Sequence, residues 1–139
     1  LICLMLILST VIGITLQLGV FIYDINLDLT NILYASLGLL IYGITCGSIS
    51  FLSGSIFAKN STASLIGAGI AILGYVLDSV YQTVTSLSFV KYLSLHYYYN
   101  NNGVILNGLD YKHFLVLFSI IALSFIIGIY IFNKRDIKS

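Results

Sequence analysis

Four stretches of this chain are long enough and apolar enough to cross a lipid bilayer, and that feature leaves little choice of fold. Leu1 to Tyr23 carries no charge, and a hydrocarbon core about 30 Å thick needs about 20 residues of α-helix. Asp24 and Asp28 follow in a short polar loop, Asp24-Ile25-Asn26-Leu27-Asp28. The next uncharged run, Leu29 to Ala58, exceeds what a bilayer needs, so its helix either tilts or begins a turn later, near Ile32. Lys59-Asn60-Ser61-Thr62 makes a tight polar break. A third run, Ala63 to about Val84, is interrupted only by Asp78. The fourth, Phe114 to Phe132, holds fourteen Leu, Ile, Val or Phe residues. On an insertion scale that run gains about −4 to −8 kcal/mol. A segment apolar on every face belongs in lipid rather than on a water-facing surface.

Composition agrees. Of 139 residues, 59% are hydrophobic and 8% charged, with a mean hydropathy of +1.04; soluble domains carry about 25% charged residues. The net charge of +1 speaks against a nucleic-acid partner, which calls for clustered Lys and Arg. Cys3 and Cys46 lie inside apolar runs, where thiols act as small hydrophobes, and no Cys/His cluster has metal-ligand spacing. His96 and His113 have no Ser, Cys or carboxylate at a spacing that suggests nucleophilic catalysis; both read as residues of an aromatic belt. The expectation is therefore no catalytic residue, no metal and no cofactor. Residue 1 is Leu, and no basic stretch precedes the first apolar run, so the sequence is expected to start inside a longer natural chain.

The predicted fold is all-α: a single-domain polytopic transmembrane bundle over residues 1–139. Its spans are expected at about 1–23, 31–58, 63–84 and 113–132, with an external segment at 85–112 and a cytoplasmic tail at 133–139. Lys59, Lys134, Arg135 and Lys138 fall on one side, against Lys91 and Lys112 with Asp24, Asp28 and Asp110 on the other. That excess favours a cytoplasmic tail and a cytoplasmic Lys59 loop.

Residues 85–112 are too polar to span and too apolar for a plain loop. Leu87, Val90, Leu93 and Tyr97 recur at three- and four-residue spacing, which predicts a short amphipathic helix at the interface. Asn100-Asn101-Asn102-Gly103 signals a turn, and Val104-Ile105-Leu106 gives a brief apolar dip ended by Asn107-Gly108. Tyr92, Tyr97, Tyr98, Tyr99 and Tyr111 suit the headgroup layer. Two readings stay open here: an ordinary aromatic belt, or a helix-turn-helix dipping into the outer leaflet.

Within the spans, Gly43, Gly47 and Gly54 form one small-residue stripe, and Ala63, Gly67 and Ala71 a second. Such residues let helix backbones approach where lipid offers no hydrophobic drive to associate. Packing within the subunit, a dimer seam and a translocation surface are all compatible with them. Asp78 is the candidate intramembrane polar site. A charge at the bilayer centre costs about 2.5–3.5 kcal/mol, which favours a place near the outer end of its helix, as an interfacial carboxylate or as an ion or substrate ligand.

The order of parts resembles the C-terminal half of an ABC-2 type permease, the membrane subunit of one class of ABC transporters. Phe51 to Asn60 resembles the end of that family's fourth span and its short basic loop. Val90 to Tyr99, reading VKYLSLHYYY, resembles the external KYLSPFYYY stretch between the fifth and sixth spans, with Leu95 where the family has Pro. Phe132 to Ile137 resembles the FxKRDI ending.

The resemblance implies spans three to six of a six-span subunit that moves substrate across the cell membrane. It implies two partners besides the bilayer: a separate ATP-binding subunit and a second permease copy, as a homo- or heterodimer. Lys59, Asn60, Ser61 and Thr62 become the candidate ATPase-facing loop. No G-x-x-x-x-G-K-[ST] motif is present, so the chain itself is not expected to be an enzyme. A non-transporting membrane scaffold or immunity-type protein shares this composition. An intramembrane enzyme has only Asp78, Gln17 and Gln82 to draw on.

Overall fold

The computed structural model describes residues 2–24, 26, 28–57, 60–83, 89, 92–99, 103–104 and 110–136. The chain is an all-α bundle. Helix α1 (Ile2–Ile22) is followed by α2 (Leu29–Phe57), α3 (Asn60–Thr83), a short α4 (Leu95–Tyr99) and α5 (Tyr111–Asp136). Four of these helices, α1, α2, α3 and α5, are long and apolar enough to cross a membrane. Lys59 and residues 84–88, 90–91, 100–102, 105–109 and 137–139 lie outside the described residues. With them go Lys91 and the expected apolar positions Leu87 and Val90.

The helix ends have local causes. Asp24 adopts φ of 50°, a left-handed conformation that Asp tolerates better than most residues, and it stops α1 just after Tyr23 donates its N–H to the Gly19 carbonyl (3.0 Å). Asp28 caps α2: its carboxylate accepts from the Thr30 N–H (3.1 Å), which satisfies a first-turn donor and sets the start at Leu29. Asp110 does the same for α5 through the Lys112 N–H (3.0 Å). Because α3 begins at Asn60, Ser61 and Thr62 lie inside its first turn. At the far end of α5, helix continues through Asn133 to Asp136.

Helix α2 is the hub. Among the described residues α1, α3 and α5 each pack on it, α1 touches no other helix, and α4 sits between α3 and α5 while resting on α2. The reason lies in the buried face of α2, which beyond Ile32 is made of small residues: Ala35, Gly38, Thr45, Ser48, Ser53 and Ser55. Small side chains admit a neighbouring backbone. The hydroxyls among them would be stranded in an apolar interior, but each donates to a carbonyl one turn back in its own helix. Thr45 bonds Ile41 (2.8 Å), Ser48 bonds Thr45 (2.7 Å), and Ser53 bonds Ile49 (2.9 Å).

Candidate functional site

Ser94, His96 and Asp78 come together where α4 is held against α3. Ser94 is fully buried and caps α4, accepting from the Tyr97 N–H (3.2 Å) while its hydroxyl donates to the Gly74 carbonyl of α3 (2.6 Å). Gly74 lies close against the start of α4: a Cβ there would sit in van der Waals contact, 3.5 Å from the His96 nitrogen and 3.7 Å from that of Leu95. Leu95 is thus the first residue of α4, the position at which proline is favoured in helices.

The buried side of this segment is Ser94, Leu95 and Tyr99, whereas Leu93 is 74% exposed. Of the expected stripe, Leu93 is exposed and Tyr97 half-buried, while Leu87 and Val90 lie outside the described residues. Tyr99 stacks on Tyr42 of α2 at 5.4 Å and also meets the face around Gly38 beside Phe114 of α5. Burial raises the pKa of the Tyr99 hydroxyl, so it stays neutral as the interior requires.

His96 points into the bundle. Its Nε2 lies 3.9 Å from the Asp78 carboxylate, with the two side chains 24% and 15% exposed. Three tyrosine rings surround the imidazole near-perpendicularly: Tyr42 at 5.8 Å, Tyr75 at 5.5 Å and Tyr99 at 5.6 Å. Asp78 lies about 27 Å along α3 from Asn60, and Gly74 about 21 Å. The cluster therefore falls toward the α4 end of α3. The second histidine, His113, lies 3.9 Å from Asp110 one turn away in sequence and packs on Tyr97 (5.0 Å) and Tyr98 (5.5 Å). Both histidines, read from sequence as belt residues, have a carboxylate neighbour.

No family model, curated protein or solved structure matches this chain.

The remaining candidate residues are spread over the helix seams. A Cβ on Gly43 would meet Met5 of α1 at 2.7 Å, and one on Gly54 would meet Ala63 of α3 at 3.3 Å. The glycine stripe of α2 thus changes partner along its length. A Cβ on Gly67 would collide with Ser50, so α2 and α3 are in backbone-close contact there; Gly47 and Ala71 are half-buried. Gln17 lines a groove of about 400 Å³ between α1 and α2, with Ser9, Gly13 and Ser36. Since α1 does not touch α3 or α4, Gln17 and Asp78 belong to different places, and the Gln82 side chain lies outside the described residues. Among the described residues no group of three or more His, Cys, Asp or Glu side chains is arranged to hold a metal ion.

Proposed function

We propose that this chain is the C-terminal half of an ABC-2 type permease, a multi-pass subunit of the cell membrane that forms a translocation pathway and is powered by ATP hydrolysed on a separate subunit. The observation that carries the reading is the place of α4. The VKYLSLHYYY stretch resembles an external element between that family's last two spans, and here its Leu95–Tyr99 portion is a helix tucked between the last two long helices, α3 and α5. Two further features support it. The join between the end of α2 and the start of α3, and the Lys134 end of α5, fall at the opposite end of the bundle from α4, as a cytoplasmic docking face requires under the positive-inside bias. The chain also lacks a phosphate-binding loop, which fits a division of labour between permease and ATPase.

The test is co-purification. The full-length protein, co-expressed with an ATPase encoded beside it, should bring down that ATPase in stoichiometric amount, and the reconstituted pair should hydrolyse ATP faster than the ATPase alone. Purification free of any ATPase, with no neighbouring Walker A protein in the genome, would turn the assignment to a scaffold or immunity-type protein.

A further inference from the structure

We propose that the groove between α1 and α2 binds one acyl chain of a membrane phospholipid, whose ester carbonyl accepts a hydrogen bond from the Gln17 amide. The inference rests on the bundle lying in a bilayer and not on the permease reading.

Small residues open the groove. Ser9 of α1 donates to the Ser36 carbonyl of α2 (3.1 Å), and a Cβ on Gly13 would sit 2.7 Å from the Ser36 hydroxyl oxygen. The two backbones are close along that line, as small residues allow. Beside it a space of about 400 Å³ remains, walled by apolar side chains that include Ile14, Leu33 and Leu37. Among the described residues α1 packs on no helix but α2, so no other helix of the bundle fills this space.

The polar atoms of the wall decide the occupant. Ser9, Thr10, Gln17 and Ser36 are its polar side chains. Ser9 is paired as above, Thr10 donates to the Ile7 carbonyl (2.8 Å), and Ser36 to that of Ile32 (2.9 Å). The Gln17 amide makes no hydrogen bond among the described residues. An unpaired amide in hydrocarbon is costly, and lipid tails offer it nothing. Gln17 lies five residues before the end of α1 at Ile22, about 8 Å below that end. Acyl ester carbonyls mark the edge of the hydrocarbon layer there, and a long side chain leaning toward the interface reaches them. The amide N–H donates and the carbonyl accepts.

The dimensions turn away a second helix. From Gln17 to Ser9 the groove follows eight residues of α1, about 12 Å. Its cross-section is therefore about 30 Å², whereas a helix about 10–12 Å across needs on the order of 100 Å². An extended hydrocarbon chain enters such a slot.

The experiment purifies the full chain in a mild detergent and offers it ester-linked phosphatidylcholine or the ether-linked counterpart. Bound lipid is counted by native mass spectrometry. One ester-linked molecule should survive delipidation. Gln17→Leu and the ether linkage should each weaken retention about five- to tenfold, the share of one hydrogen bond made away from water, and the two losses should not add. Leu33 is an exposed wall position, so Leu33→Trp should fill the slot and abolish retention. Equal retention of the two lipids by the unmodified chain overturns the site, and so does full retention in either variant. A dimer that Gln17→Leu dissolves, with no lipid retained, gives the groove to a second copy and overturns it as well. None of these readings involves an ATPase, so failure of the permease assignment leaves them unchanged.

Discussion

Ser94 does two jobs with one hydroxyl. Its oxygen accepts from Tyr97 N–H at the start of α4 and its proton goes to the Gly74 carbonyl. Removing it uncaps α4 and leaves its tie to α3 unmade in a site with no water access. Ser94→Ala should therefore lower stability by about 1–2 kcal/mol, read as a lower thermal midpoint in detergent, while Ser94→Thr should retain most of it. A midpoint unchanged by alanine would mean that α4 is held by its aromatic contacts alone. None of this was legible in the chain as letters. In sequence Ser94 is only a polar position outside the Leu87, Val90, Leu93 and Tyr97 spacing, and the bond that gives it meaning spans twenty residues to a backbone carbonyl. The same is true of His96. Spacing along the sequence can find partners one helical turn apart, such as Asp110 and His113, but says nothing of a carboxylate eighteen positions away on another helix.

The elements themselves were far more legible, because a bilayer permits few alternatives. Uncharged runs of this length must be helical, since every backbone group has to be paired internally. What hydropathy does not report is where each helix starts. That was decided by single side chains, Asp28 for α2 and Asp110 for α5, which in sequence read only as loop charges. It also does not report which face meets which neighbour. The α2–α3 seam offers a direct comparison of two glycines two positions apart on α3. A Cβ on Gly67 meets Ser50 of α2, whereas Gly69 has nothing within 4 Å. Gly67→Leu should push the two helices apart, costing about 1–3 kcal/mol or more and reducing the yield of folded protein. Gly69→Leu should be tolerated, its side chain lying in open space. Equal stability of the two variants, measured side by side in one detergent, would show that α2 and α3 do not pack through this stripe.

At the scale of the whole molecule, the chain makes one claim that any membrane function depends on: its two ends of charge face opposite solutions. Asp24, Asn26 and Asp28 join α1 to α2 at the same end of the bundle as α4 and Asp110. Asn133 and Lys134 lie at the other end, beside the α2–α3 break. By sequence order alone, four basic residues, Lys59, Lys134, Arg135 and Lys138, go with that second end against Lys91 and Lys112 with the first, and an excess of this kind orients short loops toward the cytoplasm. With Cys3 and Cys46 replaced by Ala, single cysteines at Asn26 and Asn133, both exposed, report the two faces independently. A membrane-impermeant thiol reagent added to intact cells should label the Asn26→Cys protein and spare Asn133→Cys, and opening the cells should reverse the protection of Asn133→Cys. Labelling of both from one side would break the four-helix crossing pattern itself. Exchanged labelling would preserve the bundle but turn α4 toward the cytoplasm. The Lys134 end would then face outside, where no ATP-driven partner can dock, and the permease assignment would fall while the Asp78–His96 contact stood.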